Sequence, residues 1–445
     1  MKKYIISFGL LVVCLSVQAQ AKWTLRQCVD YAVENNIELK QQALNVTSSE
    51  IDLSTSKNSR LPDLNASANQ SFNFGQSLDY KTNTYTSNNS SGTNFSISSS
   101  TPIFTGFRIP NQIKVSEFNL MAATEGLKKA KENLEIQVVS LYLEILFKKE
   151  ILKAYQEQLT LSSLQVERTN TLVSSGKVPE SQLYDIKAQQ AKDELNVTMA
   201  NNDLTLALLN LSQALNLASS ENFDIEEPVL TDIIESNISS VMPPDYVYQI
   251  ALGIKPQIKE AEYKLESSKK SLKVAQADYW PTVGLGLSYN NGFNHIYKSG
   301  VENASVSSQL KNNARESIGF SVSIPIFNRF RIRNQVRSAR LNIENQSLVL
   351  DNIKLALYKE IQQAYQSATA AQAKFSSTEK SLDAANESFK YAREKYDIGK
   401  STVFEYNEAQ TKLLTSKSEQ IQAKYDFIFR AKILDFYQGK EIDIK

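Results

Sequence analysis

The sequence predicts a mainly helical protein of two similar halves, each with a pair of short β-strands followed by a pair of long antiparallel helices. Three observations support this fold class. Apolar residues recur at every seventh position over long stretches, shorter segments alternate apolar and polar residues, and one fifteen-residue segment occurs twice. The 445 residues include only 14 Gly and 10 Pro, well below the usual shares of roughly 7% and 5%, so long uninterrupted elements are expected.

The first residues have the layout of a secretory signal. Lys2 and Lys3 precede the apolar run 5–17 and the small-residue stretch 19–21, which predicts a signal peptide over residues 1–21 with cleavage after Ala19 or Ala21. The apolar run is shorter than the roughly 20 residues of a membrane-spanning helix, so removal is expected rather than anchoring. Lipid attachment at Cys14 is an alternative, but bulky Val13 disfavours it.

An internal repeat defines the organisation of the rest of the chain. Residues 98–112 recur as residues 321–335, with ten of fifteen positions identical. We therefore predict a first repeat over residues 22–217, a linker over 218–244, a second repeat over 245–438 and a short tail over 439–445.

Each half is expected to open with an amphipathic helical region, Leu25–Lys57 and Tyr246–Asp278, and to continue after the strands with a long helix. The heptad positions predict coiled-coil packing of these long helices. They are Leu120, Leu127, Leu134, Leu141, Ile145, Leu152, Leu159, Val166 and Val173 in the first half, and Ile343, Leu350, Leu357, Phe375, Leu382, Phe389 and Tyr396 in the second. About 65 residues give a rod of roughly 100 Å. Each rod then turns at a Gly-Lys pair and returns through a second helix.

The strand segments lie before the long helices, at about 63–104 and 282–327. They alternate an apolar face with a face of Gly, Ser and Asn, and prolines mark the predicted junctions with the helices: Pro62, Pro102, Pro281 and Pro325. A half-buried strand of a soluble sheet gives the same alternation. The signal peptide and the aromatic residues at the strand ends favour a membrane barrel.

Four strands cannot close a barrel, because the smallest single-chain examples have eight, and open edges are not tolerated in hydrocarbon. The chain is therefore expected to oligomerise. A dimer would supply eight strands and a trimer twelve, and the pattern alone leaves both open.

Composition excludes several classes of function. The 49 basic residues nearly balance 48 acidic ones, so a nucleic-acid partner is not expected. One His and two Cys leave almost nothing for a metal site or a nucleophile. We therefore expect no enzyme activity, no cofactor and no metal.

The duplicated order of elements, the repeated Pro-Ile-Phe segments and the segment Tyr396–Gln410 resemble the TolC-like outer-membrane efflux proteins. The resemblance covers essentially the whole mature chain. It implies a homotrimer with a twelve-stranded barrel in the lipid of the outer membrane and a helical tunnel in the periplasm, passively conducting cargo delivered by a periplasmic adaptor and an inner-membrane transporter. The cargo, whether drug, metal or protein, is not determined by the sequence. The alternative is a periplasmic coiled-coil adaptor or structural protein with a soluble sheet.

The resemblance also implies site residues near the Gly-Lys turns. Adaptor docking is expected at Gly176, Lys177, Gly399 and Lys400. The channel constriction is expected six and nine positions after each turn glycine, at Glu405, Glu408, Gln182 and Asp185. Because Thr402 precedes Glu405 by three residues, the pair also has the spacing of a capping box, which would give Glu405 a structural role instead.

Five arginines follow the second strand pair: Arg329, Arg331, Arg333, Arg337 and Arg340. They either form a solvated face at the base of the barrel or contact an anionic substrate or lipid.

Overall fold

A computed structural model describes residues 22–79, 83–87, 89–228, 242–298, 300–440 and 442. The predicted signal peptide lies outside the described residues, as do parts of the predicted linker and tail. The described chain is mainly helical with a small sheet, which confirms the predicted fold class at this level.

The elements alternate between helices and strands along the chain. In order they are α1 (Leu25–Asn35), α2 (Ile37–Asn58), β1 (Asn65–Asn73), β2 (Gln76–Asp79), β3 (Thr84–Ser87), β4 (Asn89–Phe104), α3 (Arg108–Ser174), α4 (Glu180–Ala214), α5 (Pro244–Ile254), α6 (Pro256–Ala277), β5 (Thr282–Tyr297), α7 (Val306–Asn312), β6 (Arg315–Ser323), α8 (Arg331–Asp397) and α9 (Val403–Tyr437). No helix among these has an apolar stretch long enough to cross a membrane, as far as the described residues extend.

The long helices occur as two pairs of equal length. α3 and α8 each contain 67 residues, about 100 Å of helix, and α4 and α9 each contain 35. The two opening helical regions differ from the prediction, because each consists of two helices. The breaks fall at Asn36 and Lys255, both with extended backbone. Pro256 disfavours a helical conformation at Lys255, whereas the Asn36 side chain accepts a hydrogen bond from Leu39 N and caps α2.

The chain divides into two compact units. The helical unit comprises the described residues within Met1–Gln41, Lys128–Lys255 and Leu355–Lys445, and the sheet unit comprises those within Gln42–Leu127 and Pro256–Lys354.

In the helical unit, α8 packs on α9 through small and aromatic residues. Ala371 and Phe375 are buried against Ala423 and Phe427, with the two phenyl rings stacked at 6.0 Å. On α3, Tyr142 is fully buried, and its hydroxyl donates to Glu226 O at 2.7 Å. Long helices of this kind are held by such buried stripes rather than by propensity alone.

The sheet unit contains an antiparallel four-stranded sheet in the order β1-β4-β5-β6, so that β1 and β6 are its edges. β4 and β5 have 16 residues each, longer than the predicted ten. Beyond the predicted strand ends, β2 pairs with β3, and α7 forms where a loop was expected. These segments are rich in Ser, Thr, Asn and Gln, so they lack the apolar alternation that would have revealed them.

The four prolines lie near the strand ends. Pro62 falls between α2 and β1, Pro281 directly precedes β5, and Pro325 follows β6. Pro102 lies inside β4, beyond the end of its pairing with β1 at Ser98, and is paired with Gly284 of β5. The register shifts between Pro102 and Phe104, and such an irregularity accommodates a residue that has no N–H to donate.

Candidate functional site at the helix turns

The turn after α3 is a left-handed glycine cap. Gly176 has φ +69°, Gly176 N donates to Val173 O at 2.9 Å, and Lys177 N donates to Leu172 O at 2.9 Å. This pair of bonds is the Schellman motif, which satisfies carbonyls that the helix end leaves without partners. Both turn residues are exposed.

The turn after α8 has the same geometry. Gly399 has φ +72°, and its N–H donates to Tyr396 O at 3.0 Å, while Lys400 N donates to Lys395 O at 2.8 Å. Both of these residues are also exposed. The two predicted turns are therefore the same local structure, and each presents a Gly-Lys pair to its surroundings.

The capping box at the start of α9 is present. Glu405 N donates to Thr402 Oγ1 at 3.2 Å, and Thr402 N donates to Glu405 Oε2 at 2.9 Å. The Ser401 hydroxyl donates to the same carboxylate oxygen at 2.6 Å. The hydrogen bond from Ser401, followed by that from the Thr402 backbone, lowers the pKa of Glu405. The Glu405 carboxylate is thus held ionised at the helix start, where the helix dipole also favours negative charge.

The other three predicted constriction residues lie within the first two turns of α4 and α9. Asp185 and Glu408 are exposed, and Gln182 is half-buried. Within the part of the chain that the structure describes, no hydrogen bond or ion pair joins any of Gln182, Asp185, Glu405 and Glu408 to another of the four. Within the described chain, the four side chains are therefore not bonded to one another.

The face of α9 opposite Glu405 and Glu408 is buried, and its packing fixes the direction in which these two carboxylates point. Val403 and Tyr406 are buried, and the Tyr406 ring lies 4.9 Å from the ring of Tyr396. Burial raises the pKa of Tyr406. Because Tyr406 packs inward, Glu405 and Glu408 project from the exposed side of the helix.

Sequence reasoning missed one ion pair near both turns. Arg168 of α3 pairs with Asp397, the last residue of α8, and Arg393 lies 3.9 Å from the same carboxylate. Two exposed apolar residues beside the second turn, Ile398 and Phe404, were also missed. The ion pair joins residues that are far apart in sequence, so no local pattern could have identified it.

The described residues include no group of three or more His, Cys, Asp or Glu side chains that could hold a metal ion. Cys28 is fully buried in α1, and burial raises the pKa of its thiol to about 12. A buried thiol of this kind is inert as a nucleophile or metal ligand.

Comparison with known proteins decides the family. The family model described as outer membrane efflux protein matches residues 28–217 and 247–435. The chain belongs to the outer membrane efflux protein family. The two matched segments leave out the region between them, where the sequence predicts the linker.

Relatives of this outer membrane efflux protein match over most of its length. The outer membrane efflux protein BepC of Brucella suis biovar 1 is 20% identical, over 93% of this chain and 85% of its own length. The probable outer membrane lipoprotein SilC of Salmonella typhimurium is 24% identical, over 88% of this chain and 81% of its own. The crystal structure of the Campylobacter jejuni CmeC outer membrane channel shares the fold, with a TM-score of 0.76 at 18% identity, over 94% of this chain and 87% of that one.

The protein is an outer-membrane efflux channel component with its helices in the periplasm. The family consists of transport proteins rather than enzymes. The family match also decides against the alternative of a periplasmic adaptor.

Proposed function

We propose that three copies of this chain close a twelve-stranded barrel in the outer membrane and that their long helices together form a periplasmic tunnel. The observation that carries the proposal is the four-stranded sheet, whose edge strands β1 and β6 have no further neighbour among the described residues. Three such sheets joined edge to edge have twelve strands and no free edge, which satisfies every backbone group in lipid.

The exposed side chains of β6 support the same arrangement. Ile318 and Phe320 are 76% and 74% exposed in the single chain, and Val322 lies on the same face. The opposite face carries Ser317, Gly319, Ser321 and Ser323. An apolar face of this extent needs lipid or protein against it, whereas the small polar face suits a water-filled lumen.

The exposed turns support docking of a periplasmic adaptor, which would connect the channel to an inner-membrane transporter. Gly176-Lys177 and Gly399-Lys400 present matching backbone caps, and Ile398 and Phe404 add apolar surface beside the second pair. Exposed aromatic residues of this kind are favoured as anchors in protein interfaces. The transporter would then select the cargo.

The constriction is proposed at Glu408, Asp185, Glu405 and Gln182. Threefold symmetry would repeat each carboxylate around one axis, and such a ring favours cations. Glu408 and Asp185 are exposed, while Glu405 is engaged in its cap. We therefore assign the larger contribution to Glu408.

Assembly is tested by extracting the mature protein from membranes and measuring its mass with and without heating. We expect release only with detergent, and a particle three times the chain mass that dissociates on heating. Release by salt alone, or a stable two-chain particle, would contradict the trimeric barrel.

Docking is tested by placing a photo-crosslinking amino acid at Phe404, with the similarly exposed Leu44 of the sheet unit as the matched control. The adaptor encoded with the channel should be captured from Phe404 and not from Leu44. Capture from Leu44 alone would move the docking surface away from the turns.

A further inference from the structure

The start of α8 carries an unusual positive charge. Arg329, Arg331, Arg333, Arg337 and Arg340, which we call the arginine patch, are all exposed. No acidic residue occurs between Glu316 and Glu344. Five positive charges therefore lie within twelve consecutive residues.

The patch has no internal neutralisation. Throughout the described part of the chain, none of its five guanidinium groups forms an ion pair. The corresponding region of the first half differs, because Arg108 pairs with Asp278 at 3.2 Å and Lys114 pairs with Glu117 at 2.7 Å. Its basic residues are matched by acids of the same chain, whereas the partners of the arginine patch must come from outside it.

The patch is unfavourable for the local fold. Arginines near the start of a helix oppose the helix dipole, and Arg333 and Arg337 are like charges four residues apart. Arg329 has φ +55°, a left-handed conformation, at the position that corresponds to Gly106 in the first half. Backbone outliers of this kind cluster at functional sites.

Aromatic residues accompany the patch at the end of the sheet. The Arg333 guanidinium lies 5.8 Å from the centre of the Phe330 ring, and that ring meets Phe327 edge to face at 5.6 Å. Phe327 is exposed, as are Ile324 and Ile326, which follow directly from the apolar face of β6. Aromatic rings beside arginines are typical of the boundary between hydrocarbon and water.

We propose that the arginine patch binds the phosphate headgroups of anionic phospholipid in the leaflet next to the helices. The inference rests on the proposed membrane barrel. Arginine suits this ligand because its planar guanidinium matches phosphate geometry and stays charged. The continuity of the patch with exposed Phe327 and Ile326 favours lipid over an anionic cargo in the lumen.

The test compares lipids bound by the purified trimer. Wild type and Arg333→Gln/Arg337→Gln/Arg340→Gln are incubated with mixed micelles of phosphatidylglycerol and phosphatidylethanolamine in equal amounts, and bound lipids are counted by native mass spectrometry. We expect wild type to prefer phosphatidylglycerol and the preference to fall about fivefold for each arginine removed. Lys192→Gln/Lys380→Gln/Lys412→Gln, which removes the same charge from exposed positions, should keep it.

Several results would overturn the proposal. They are an unchanged preference in the arginine variant, an equal loss in the lysine control, and displacement of phosphatidylglycerol by an equal amount of inorganic phosphate. Loss of anion conductance with unchanged lipid preference would assign the patch to cargo instead. Should the glutamine variant fail to assemble, Arg333→Lys/Arg337→Lys/Arg340→Lys must retain the preference, and added salt must weaken it in wild type.

The channel itself is checked separately. Wild-type conductance in bilayers of phosphatidylethanolamine alone would show that the barrel forms in the absence of anionic lipid. A conducting protein without lipid preference would disprove the lipid site alone, whereas a protein that never inserts would disprove the barrel.

Discussion

At the scale of single residues, the structure separates the roles of two neighbouring carboxylates. Glu405 completes the cap of α9, whereas Glu408 is exposed. In planar bilayers, we expect Glu408→Gln to reduce cation preference more than Glu405→Gln does, and the double variant to lose most of it. Equal selectivity of the double variant and wild type would remove both residues from the constriction and leave Asp185 as the next candidate.

The same cap predicts a pH dependence. Hydrogen bonds lower the pKa of Glu405, so the stability it contributes is complete above its ordinary value of 4.5 and is lost as the pH falls through the lowered value. The first turn of α9 should therefore lose hydrogen-exchange protection in acid. In Glu405→Gln this loss should be absent, because the amide does not titrate.

A third residue-scale prediction concerns Lys255, which is 3% exposed and lies at the break between α5 and α6. Its ammonium is 3.2 Å from Glu132 Oε2 and 3.2 Å from the centre of the Phe436 ring. Burial lowers the pKa of Lys255, although Glu132 opposes the shift. The unfolded chain therefore holds this proton at higher pH than the folded chain does, and stability should rise with pH between the lowered pKa and the ordinary 10.5.

Replacing Lys255 by Met tests this account. Met can fill the site without desolvating a charge, and Glu132 remains accessible to water, so the change in unfolding free energy should be neutral or stabilising, by up to about 4 kcal/mol. Denaturant unfolding from neutral pH to pH 10.5 should show the rise in wild type and not in Lys255→Met. A rise of the same size in the variant would exclude Lys255 as its source.

At the scale of the elements, the two turns need glycine for its backbone conformation and not because a side chain would lack room. A Cβ at Gly176 or Gly399 would meet no atom within 4 Å, so the cost of a side chain comes from the left-handed backbone alone. We expect Gly399→Ala to destabilise the turn by roughly 1–2 kcal/mol and Gly399→Asn by less. Hydrogen exchange at the end of α8 measures the difference.

Gly253 provides the matched control, because it also has no atom near its Cβ position but lies in the last turn of α5. Gly253→Ala should stabilise its helix by roughly 0.5–1 kcal/mol. For function, Val at both turn glycines should abolish export while the trimer still assembles. Normal export by that double variant would argue against docking at the turns.

The sheet gives a second prediction at this scale, because β6 has one apolar and one small polar face. Phe320→Arg should cost roughly 2–4 kcal/mol if the side chain faces lipid near the bilayer midplane. Ser321→Arg, on the next residue and the opposite face, should be tolerated. The yield of heat-sensitive trimer measures the effect of both substitutions. A higher yield for Phe320→Arg than for Ser321→Arg would place the apolar face toward the lumen and the polar face toward lipid.

At the scale of the whole molecule, the unpaired edges link stability to assembly. A separated chain would expose β1 and β6, so dissociation and loss of the barrel should occur together. The midpoint of thermal dissociation in detergent should therefore rise with protein concentration. Chemically crosslinked trimers should show no such dependence, and a concentration-independent midpoint without crosslinks would indicate a barrel that does not need partners.

Features that rest on local periodicity and residue type could be predicted from the amino-acid sequence alone. Heptads predicted the long helices, and Gly followed by Lys predicted the turns at Gly176 and Gly399. The spacing of Thr402 and Glu405 predicted a capping box. Each of these features depends on interactions within a few residues of the chain, so the amino-acid sequence is sufficient to predict it.

Which distant residues meet, and which described residues remain without a partner, is visible only in the folded chain. The order β1-β4-β5-β6 fixed the two free edges, and the contact between Arg168 and Asp397 joined residues from different long helices. The unpaired state of the arginine patch became visible by contrast with the Arg108–Asp278 pair. Such facts depend on how separate elements pack, and packing is set by the sum of many weak long-range contacts that no local pattern records.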